Sequence, residues 1–216
     1  MYENKLNLRY MLAIAIYLAG MTVFSGCNKD GNENFYCVNT IKNSQTNTTL
    51  SKSEMDVVKY LFNRNQLDYT KYQFYSFQED ELGYHHIRCF QFANNLLVFT
   101  SDVIFHFDKN DNYYFLSGDL INTINLNTKP SMKQDNVVEK FVNEIKQDGY
   151  YVENIEIISD CFDLDFGYYD LNAGISYVDA KFTKAWKINL TNKKYPFAYI
   201  NDENSELIYY DNGIRF

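Results

Sequence analysis

Two prolines and nine glycines among 216 residues are too few chain-breakers for a Pro/Gly-rich or low-complexity disordered protein. Positive charge is also short: 20 Lys and Arg face 28 Asp and Glu, for a net charge of −8. That excludes the basic surface needed to hold a phosphate backbone. Histidine occurs three times, at His85, His86 and His106, and no His-Glu-x-x-His pattern is present. A zinc-peptidase helix is therefore missing, because that chemistry needs two histidines one helical turn apart around a glutamate. No other catalytic constellation takes its place. Only residues 10–24, YMLAIAIYLAGMTVF, form a long apolar run, and it is too short to span a bilayer comfortably. Aromatics are plentiful by contrast, with 20 Tyr and 17 Phe, a composition that suits β structure.

The apolar run follows a weakly basic start, MYENKLNLR, and precedes Ser25-Gly26-Cys27. Small residues before a cysteine, after such a run, resemble the bacterial lipobox. The resemblance implies a lipoprotein signal peptide over residues 1–26, cleavage before Cys27 and lipidation of Cys27. The bland alternative is an ordinary secretory signal with a chance cysteine. Asn28 to Asn34, NKDGNEN, resembles the export tags of Bacteroidetes surface lipoproteins. Residues 27–48 are rich in Asn, Thr, Ser and Gly and read as a polar tether that stands an anchored domain off the membrane. The localisation expected is the cell envelope, lipid-anchored, at the outer membrane. The membrane is then contacted only through the Cys27 lipid.

Patterned sequence starts near Leu50. Ser51 and Glu54 form a capping box, and Met55, Val58, Leu61 and Phe62 recur at helical spacing, predicting a helix over 52–64. Tyr72 to Phe77 reads as a strand. Ile87 and Cys89 alternate with Arg88 and Phe90 in a second strand, and Asn94-Asn95 marks a turn. Over Leu97–Phe107, Val103, Phe105 and Phe107 share one face, and Asp102, Ile104 and His106 the other. Asp108 to Asn112 turns the chain into Tyr113–Leu116. After Asn127–Pro130, Ser131 and Gln134 suggest a second capping box, before an apolar helical face of Val137, Val138, Phe141, Val142 and Ile145 with Gly149 as its stop. Ile155 and Ile157 alternate as a strand. Trp186, Ile188 and Leu190 share a strand face, and Phe197–Ile200 and Leu207–Tyr210 flank a turn as a hairpin.

The stretch HIRCFQFANNLLVFTSDVIFHF resembles the FTP segment in propeptides of thermolysin- and fungalysin-type metalloproteases. His86, Arg88, Gln91, Val98, His106, Asp108, Gly118 and Asp119 stand in the family's order. Cys89 replaces its aromatic, Asn95 its glycine and Leu97 its proline. Trp186 and Glu206 match the closing motif of the PepSY region, where Asn201 replaces an aspartate and Ser205 a glycine. The signature set is thus His86, Arg88, Gln91, His106, Asp108, Gly118, Asp119, Trp186 and Glu206, expected to be structural. The fold implied is α+β: two cystatin/PepSY-like halves, each a helix packed on an antiparallel β-sheet. The FTP-like half covers 49–125 and the PepSY-like half 126–213. The implied function is a non-catalytic interaction protein that inhibits a secreted metalloprotease, or assists its folding, in trans. The resemblance implies a propeptide region without its enzyme, and no cofactor. The alternative is a surface lipoprotein that binds a glycan or peptide on the same fold.

Other chemistry finds little support. Adjacent strand residues point to opposite faces, so only one of His85 and His86 can meet His106, and no metal site is expected. Asp108-x-Asn110-x-Asn112 imitates a calcium loop, but Tyr113 stands where the sharp turn needs glycine. Asp160, Asp163, Asp165 and Asp170 read as a solvated acidic loop around Gly167. With Cys27 lipidated, Cys37, Cys89 and Cys161 remain, enough for one bridge outside the cytoplasm. Cys89 on a core strand reads as a buried thiol. Nothing in the sequence orients it against a histidine as a nucleophile. The tyrosine pairs at 113–114, 150–151, 168–169 and 209–210 could line a ligand face, or be strand neighbours that point one in and one out.

Overall fold

In the computed structural model, residues 36–41, 48–148, 161–175 and 177–214 are described. The expected signal peptide, Cys27, most of the tether, Gly149, Asp160, Tyr150-Tyr151 and the strand at Ile155–Ile157 lie outside them. Two α-helices and nine strands occur among the described residues. In chain order they are β1 (Val38–Ile41), α1 (Lys52–Arg64), β2 (Tyr72–Glu79), β3 (His85–Ala93), β4 (Leu96–Phe107) and β5 (Tyr113–Ser117). Then follow α2 (Gln134–Gln147), β6 (Phe162–Asp170), β7 (Phe182–Leu190), β8 (Phe197–Asn201) and β9 (Leu207–Asp211).

Helix α1 starts as its capping box dictates: the Ser51 N–H donates to the Glu54 carboxylate at 2.7 Å, and the Glu54 N–H donates to Ser51 Oγ at 3.3 Å. Its far end is tied by Asn65, whose amide donates to the carbonyls of Leu61 and Asp111, both at 2.8 Å, and accepts from the Tyr113 N–H at 2.7 Å. Val58, Leu61 and Phe62 pack on Tyr72, Phe74, Ile87, Cys89, Val103, Phe105 and Phe107. The Phe62 ring has four aromatic neighbours, with centroids 4.8–6.1 Å away. The β3–β4 turn puts Asn94 and Asn95 at φ 50° and 64°, the left-handed conformation asparagine tolerates.

The expectation of two halves, each a helix on its own antiparallel sheet, is overturned. A single mixed sheet of nine strands runs β2-β3-β4-β6-β7-β8-β9, with β5 beside β4 and β1 beside β6. Two parallel pairings make it mixed: β1 with β6, and β4 with β6 through Leu97↔Gly167 and Val98↔Tyr168. The close approach at this joint needs a glycine, because a Cβ on Gly167 would lie 2.3 Å from the Leu97 carbonyl oxygen. The acidic stretch around Gly167 is likewise a strand and not a solvated loop. Phe162, Leu164 and Tyr168 are buried on one side of β6, and Asp163 and Asp165 alternate onto the other.

Both helices lie on the same face of this sheet. Gln91, in line with Ile87 and Cys89 above α1, is bonded to Ile121, which packs with Val98 and Tyr168. Tyr168 is in turn in line with Leu164 and Phe162, which pack under Val138, Phe141 and Ile145 of α2. The extended crossover of residues 119–133 covers the sheet between the helices.

Helix α2 begins at Gln134, with Lys133 at its N-cap and no side-chain cap, so the expected Ser131–Gln134 box does not form. A tertiary partner takes its place. Asp202 accepts from the Ser131 N–H at 2.8 Å, the Met132 N–H at 3.0 Å and the Trp186 indole at 2.9 Å. Lys184 completes the knot: its Nζ lies 3.0 Å from Asp202 and donates to Ser131 Oγ at 2.8 Å and the Lys129 carbonyl at 3.1 Å. Lys184 and Asp202 are each 2% exposed. A buried pair so fully hydrogen-bonded satisfies its desolvated charges, and it fixes where the crossover meets the β7–β8 hairpin.

Candidate functional site on the uncovered sheet face

Strand alternation sends one set of side chains toward the helices and the other to a face that nothing covers among the described residues. The second set includes Tyr75, which sits at a bulge in β2, His86, Arg88 and Phe90 of β3, and Phe99, Asp102 and His106 of β4. It continues through Phe115 of β5, Tyr169 of β6, Lys187 of β7, Phe197 and Tyr199 of β8 and Tyr209 of β9. Their rings support one another: Tyr75 stacks on Phe90 at 4.8 Å, and Tyr199 meets Tyr169 at 4.9 Å and Phe99 at 5.2 Å. Without a second layer, these contacts bury Phe99 and leave Tyr75, Phe90, Tyr169 and Tyr199 half-buried. A wide apolar face with a polar rim marks an interaction surface.

At the β3–β4–β5 end, His86 and His106 are register partners with Nδ1 atoms 2.7 Å apart. Asp80 Oδ2 lies 3.4 Å from His86 Nε2, and Ser117 Oγ lies 3.0 Å from His106 Nε2. Phe115 stacks flat on His106, with centroids 4.0 Å apart. Desolvation, and then the charge of His86, push the His106 pKa below its ordinary value. Arg88 lies 3.9 Å from Asp102, and both are about half exposed. The Tyr75 hydroxyl donates to Asp102, and burial followed by that bond raises the Tyr75 pKa to about 12. As alternation requires, His85 points the other way. It stacks on Phe77, and its Nε2 lies 3.3 Å from Asp111.

The signature residues divide between the two faces. His86, Arg88 and His106 project from the open one. Gln91 points to the covered face, where its amide brackets the backbone of Ile121, accepting from the N–H and donating to the carbonyl. Trp186 is buried against Asp202. Asp108 caps its turn through the Asn110 and Asn112 N–H groups at 2.8 and 2.9 Å, so this loop is a tight hairpin connection. Gly118 has φ 91°, and a Cβ there would fall 2.8 Å from the Asp102 carbonyl oxygen. Asp119 is exposed, and Glu206 accepts from the Asn204 amide in the β8–β9 turn at 2.7 Å.

Tyr168 and Tyr210 point inward while Tyr169 and Tyr209 point outward, as paired strand residues do. Cys37 and Cys161 form a disulfide; Cys89 is a buried free thiol whose pKa burial pushes up, the opposite of nucleophile activation. Among the described residues no group of three or more His, Cys, Asp or Glu could hold a metal ion. A groove of about 960 Å³ opens on the covered side, lined by Asp68, Lys71, Tyr72, Gln91, Asn94 and Ile121 among others.

Sequence reasoning missed Lys184, Asp202, Asp80, Phe115 and Ser117. One signal was available: Lys184 falls in line with Trp186, Ile188 and Leu190, and a lysine at an inward position of an alternating strand needs a buried anion.

Residues 71–120 match the FTP family, the Fungalysin/Thermolysin Propeptide Motif. The match spans β2 to β5 and the start of the crossover. The motif is that of a propeptide and not of a catalytic domain. No curated protein matches this chain.

Proposed function

We propose that the chain is a non-catalytic, propeptide-like interaction protein that docks on a secreted metalloprotease in trans and inhibits it or assists its folding. One observation carries this reading. The stretch that matches a protease-propeptide motif presents its polar signature residues, His86, Arg88 and His106, on an uncovered aromatic sheet face. Buried complementary surface is how such a module acts, with no chemistry of its own. The same face suits a protein better than a glycan. Sugars stack on exposed flat rings, and here Phe99, Tyr169 and Tyr199 tilt against one another at 44–53°.

The reading places the protein in the cell envelope, anchored at the outer membrane through a lipid on Cys27. The lipobox-like Ser25-Gly26-Cys27 supports this, and so does the Cys37–Cys161 disulfide, which persists in an oxidising compartment. The test is a titration of the full chain against secreted thermolysin-like proteases, reading residual activity and complex formation by gel filtration. Inhibition, or faster refolding of the protease, is expected. Full protease activity at every ratio with no complex would overturn the proposal.

A further inference from the structure

The two imidazoles at the end of the open face form a relay with defined hydrogen-bond roles. The Asp80 carboxylate only accepts, so His86 Nε2 carries a proton and His86 Nδ1 is left as an acceptor. His106 must then donate through Nδ1 across the 2.7 Å contact, and its Nε2 accepts from the Ser117 hydroxyl. Every nitrogen is satisfied with both rings neutral. A first added proton fits at His106 Nε2, because the Ser117 hydroxyl can turn to accept, and the proton already in the contact passes to His86 Nδ1, which moves the charge off the more buried ring. A second has only the remaining Nδ1 lone pair inside the contact, and that places N–H groups on both sides of it. No rotamer of Ser117 relieves this clash, so the rings must part.

We infer that the His86–His106 contact is a proton-gated latch, closed while at most one imidazole is charged and opened when both are. It holds β5 against β4, because Phe115 is stacked on His106 and Ser117 is bonded to it. Opening it frees that edge strand and reshapes this end of the open face, so docking weakens in acid. The docking consequence rests on the reading of the face as a partner surface; the latch itself does not.

The surroundings bear on the sign. Asp80 in the β2–β3 turn is the anion in contact, 3.4 Å from His86 Nε2. Gln78, the β2 register partner of His86, is neutral, and so are Phe115 and Ser117 of β5. Arg88 and Asp102 follow along the same face of β3 and β4 and pair with each other. A single carboxylate therefore balances one imidazolium and leaves the second unbalanced. Burial and the neighbouring charge also oppose protonation of His106.

The test follows the histidine ring nitrogens of the full chain by long-range 1H–15N NMR from about pH 8 to about pH 4.5. Two well-separated titrations are expected, with amide protection in Tyr113–Ser117 falling at the second. His86→Gln should leave one titration at His106 and flat β5 protection. Coincident titrations of both rings, or β5 protection that ignores the second step in the wild type, would overturn the latch. Protease binding by the wild type is then followed across the same pH range; a loss that tracks the second ring titration is expected, and binding that ignores that step would overturn the docking consequence. If no protease binds at any pH, the proposed function fails, and the ring titrations alone still decide the latch.

Discussion

Asp202 and Lys184 give the sharpest test of how this fold is held. Asp202→Ala removes the acceptor for three N–H groups, from Ser131, Met132 and Trp186, and strips the counter-charge from a lysine that is 2% exposed. Breaking a buried pair from one side costs about 3–5 kcal/mol, and each orphaned donor adds on the order of 1 kcal/mol before relaxation. A total of about 5 kcal/mol is expected. Lys184→Met leaves Asp202 with its three N–H donors and replaces the lysine stem with a similar apolar volume, so about 2 kcal/mol is expected. The asymmetry is the point: the carboxylate is the hub and the lysine one of its spokes. Urea unfolding followed by the fluorescence of Trp186, the chain's single tryptophan, measures both, because the indole donates to the carboxylate being removed. Equal losses, a reversed order, or less than about 1 kcal/mol for Asp202→Ala would refute the hub argument. The pH dependence is a second readout. Burial opposes the charged form of Asp202, but the hydrogen bonds from Met132, Ser131, Lys184 and Trp186 outweigh it and hold its pKa below the ordinary carboxylate range. The stability it supplies is therefore fully present above an unfolded pKa of about 3.9 and is lost as pH falls through the lower folded value. Asp202→Asn should flatten that acid limb.

Gly167→Ala should separate β4 from β6, since the new methyl would meet the Leu97 carbonyl at 2.3 Å and the Phe99 ring at 2.8 Å. A loss of about 3 kcal/mol is expected from such overpacking, with faster amide exchange at Leu97 and Val98; a change within about 0.5 kcal/mol would show that the joint is slack. Cys37→Ser opens a covalent loop of 124 residues in sequence separation and should cost about 4–5 kcal/mol in loop-closure entropy. Reducing the wild type should produce the same shift in the urea midpoint. A shift under about 1 kcal/mol for either would mean that β1 is held by its ladder with β6 alone.

Elements whose causes are local were legible in the sequence. Helix α1 starts where Ser51 and Glu54 satisfy each other's backbone, and β4 shows its inward face as Val103, Phe105 and Phe107. The continuity of the sheet was not legible. It depends on two backbone pairings, Leu97↔Gly167 and Val98↔Tyr168, between strands about 70 residues apart, and on the absence of one side chain. The β6 strand hid behind its aspartates: Asp163 is bonded to Asn39 and Thr191, and Asp165 is nearly buried, so tertiary partners override a composition that reads as loop. The start of α2 failed for the same reason, because Asp202 claims the backbone that a Ser131 cap would have used. The closing motif misled by one position. Asn201 stands where the expected motif has aspartate, and the carboxylate that binds the tryptophan strand comes from Asp202.

The division of the signature residues between the two faces bears on what the fold retains them for. Gln91, Gly118 and Trp186 each answer a demand of the interior: a crossover to be bracketed, a close backbone approach, an indole to be satisfied. His86, Arg88 and His106 answer none. They stand on the face away from both helices, and the Arg88–Asp102 pair is exposed enough for solvent to screen most of its Coulomb energy. Apolar or small polar residues at these positions would leave the α1 core untouched, because Ile87, Cys89, Val103, Phe105 and Phe107 are the residues of these strands that pack in it. The presence of His86, Arg88 and His106 in the matched stretch, on a face with no cover of its own, is the physical reason to look for a partner there rather than in the groove on the covered side.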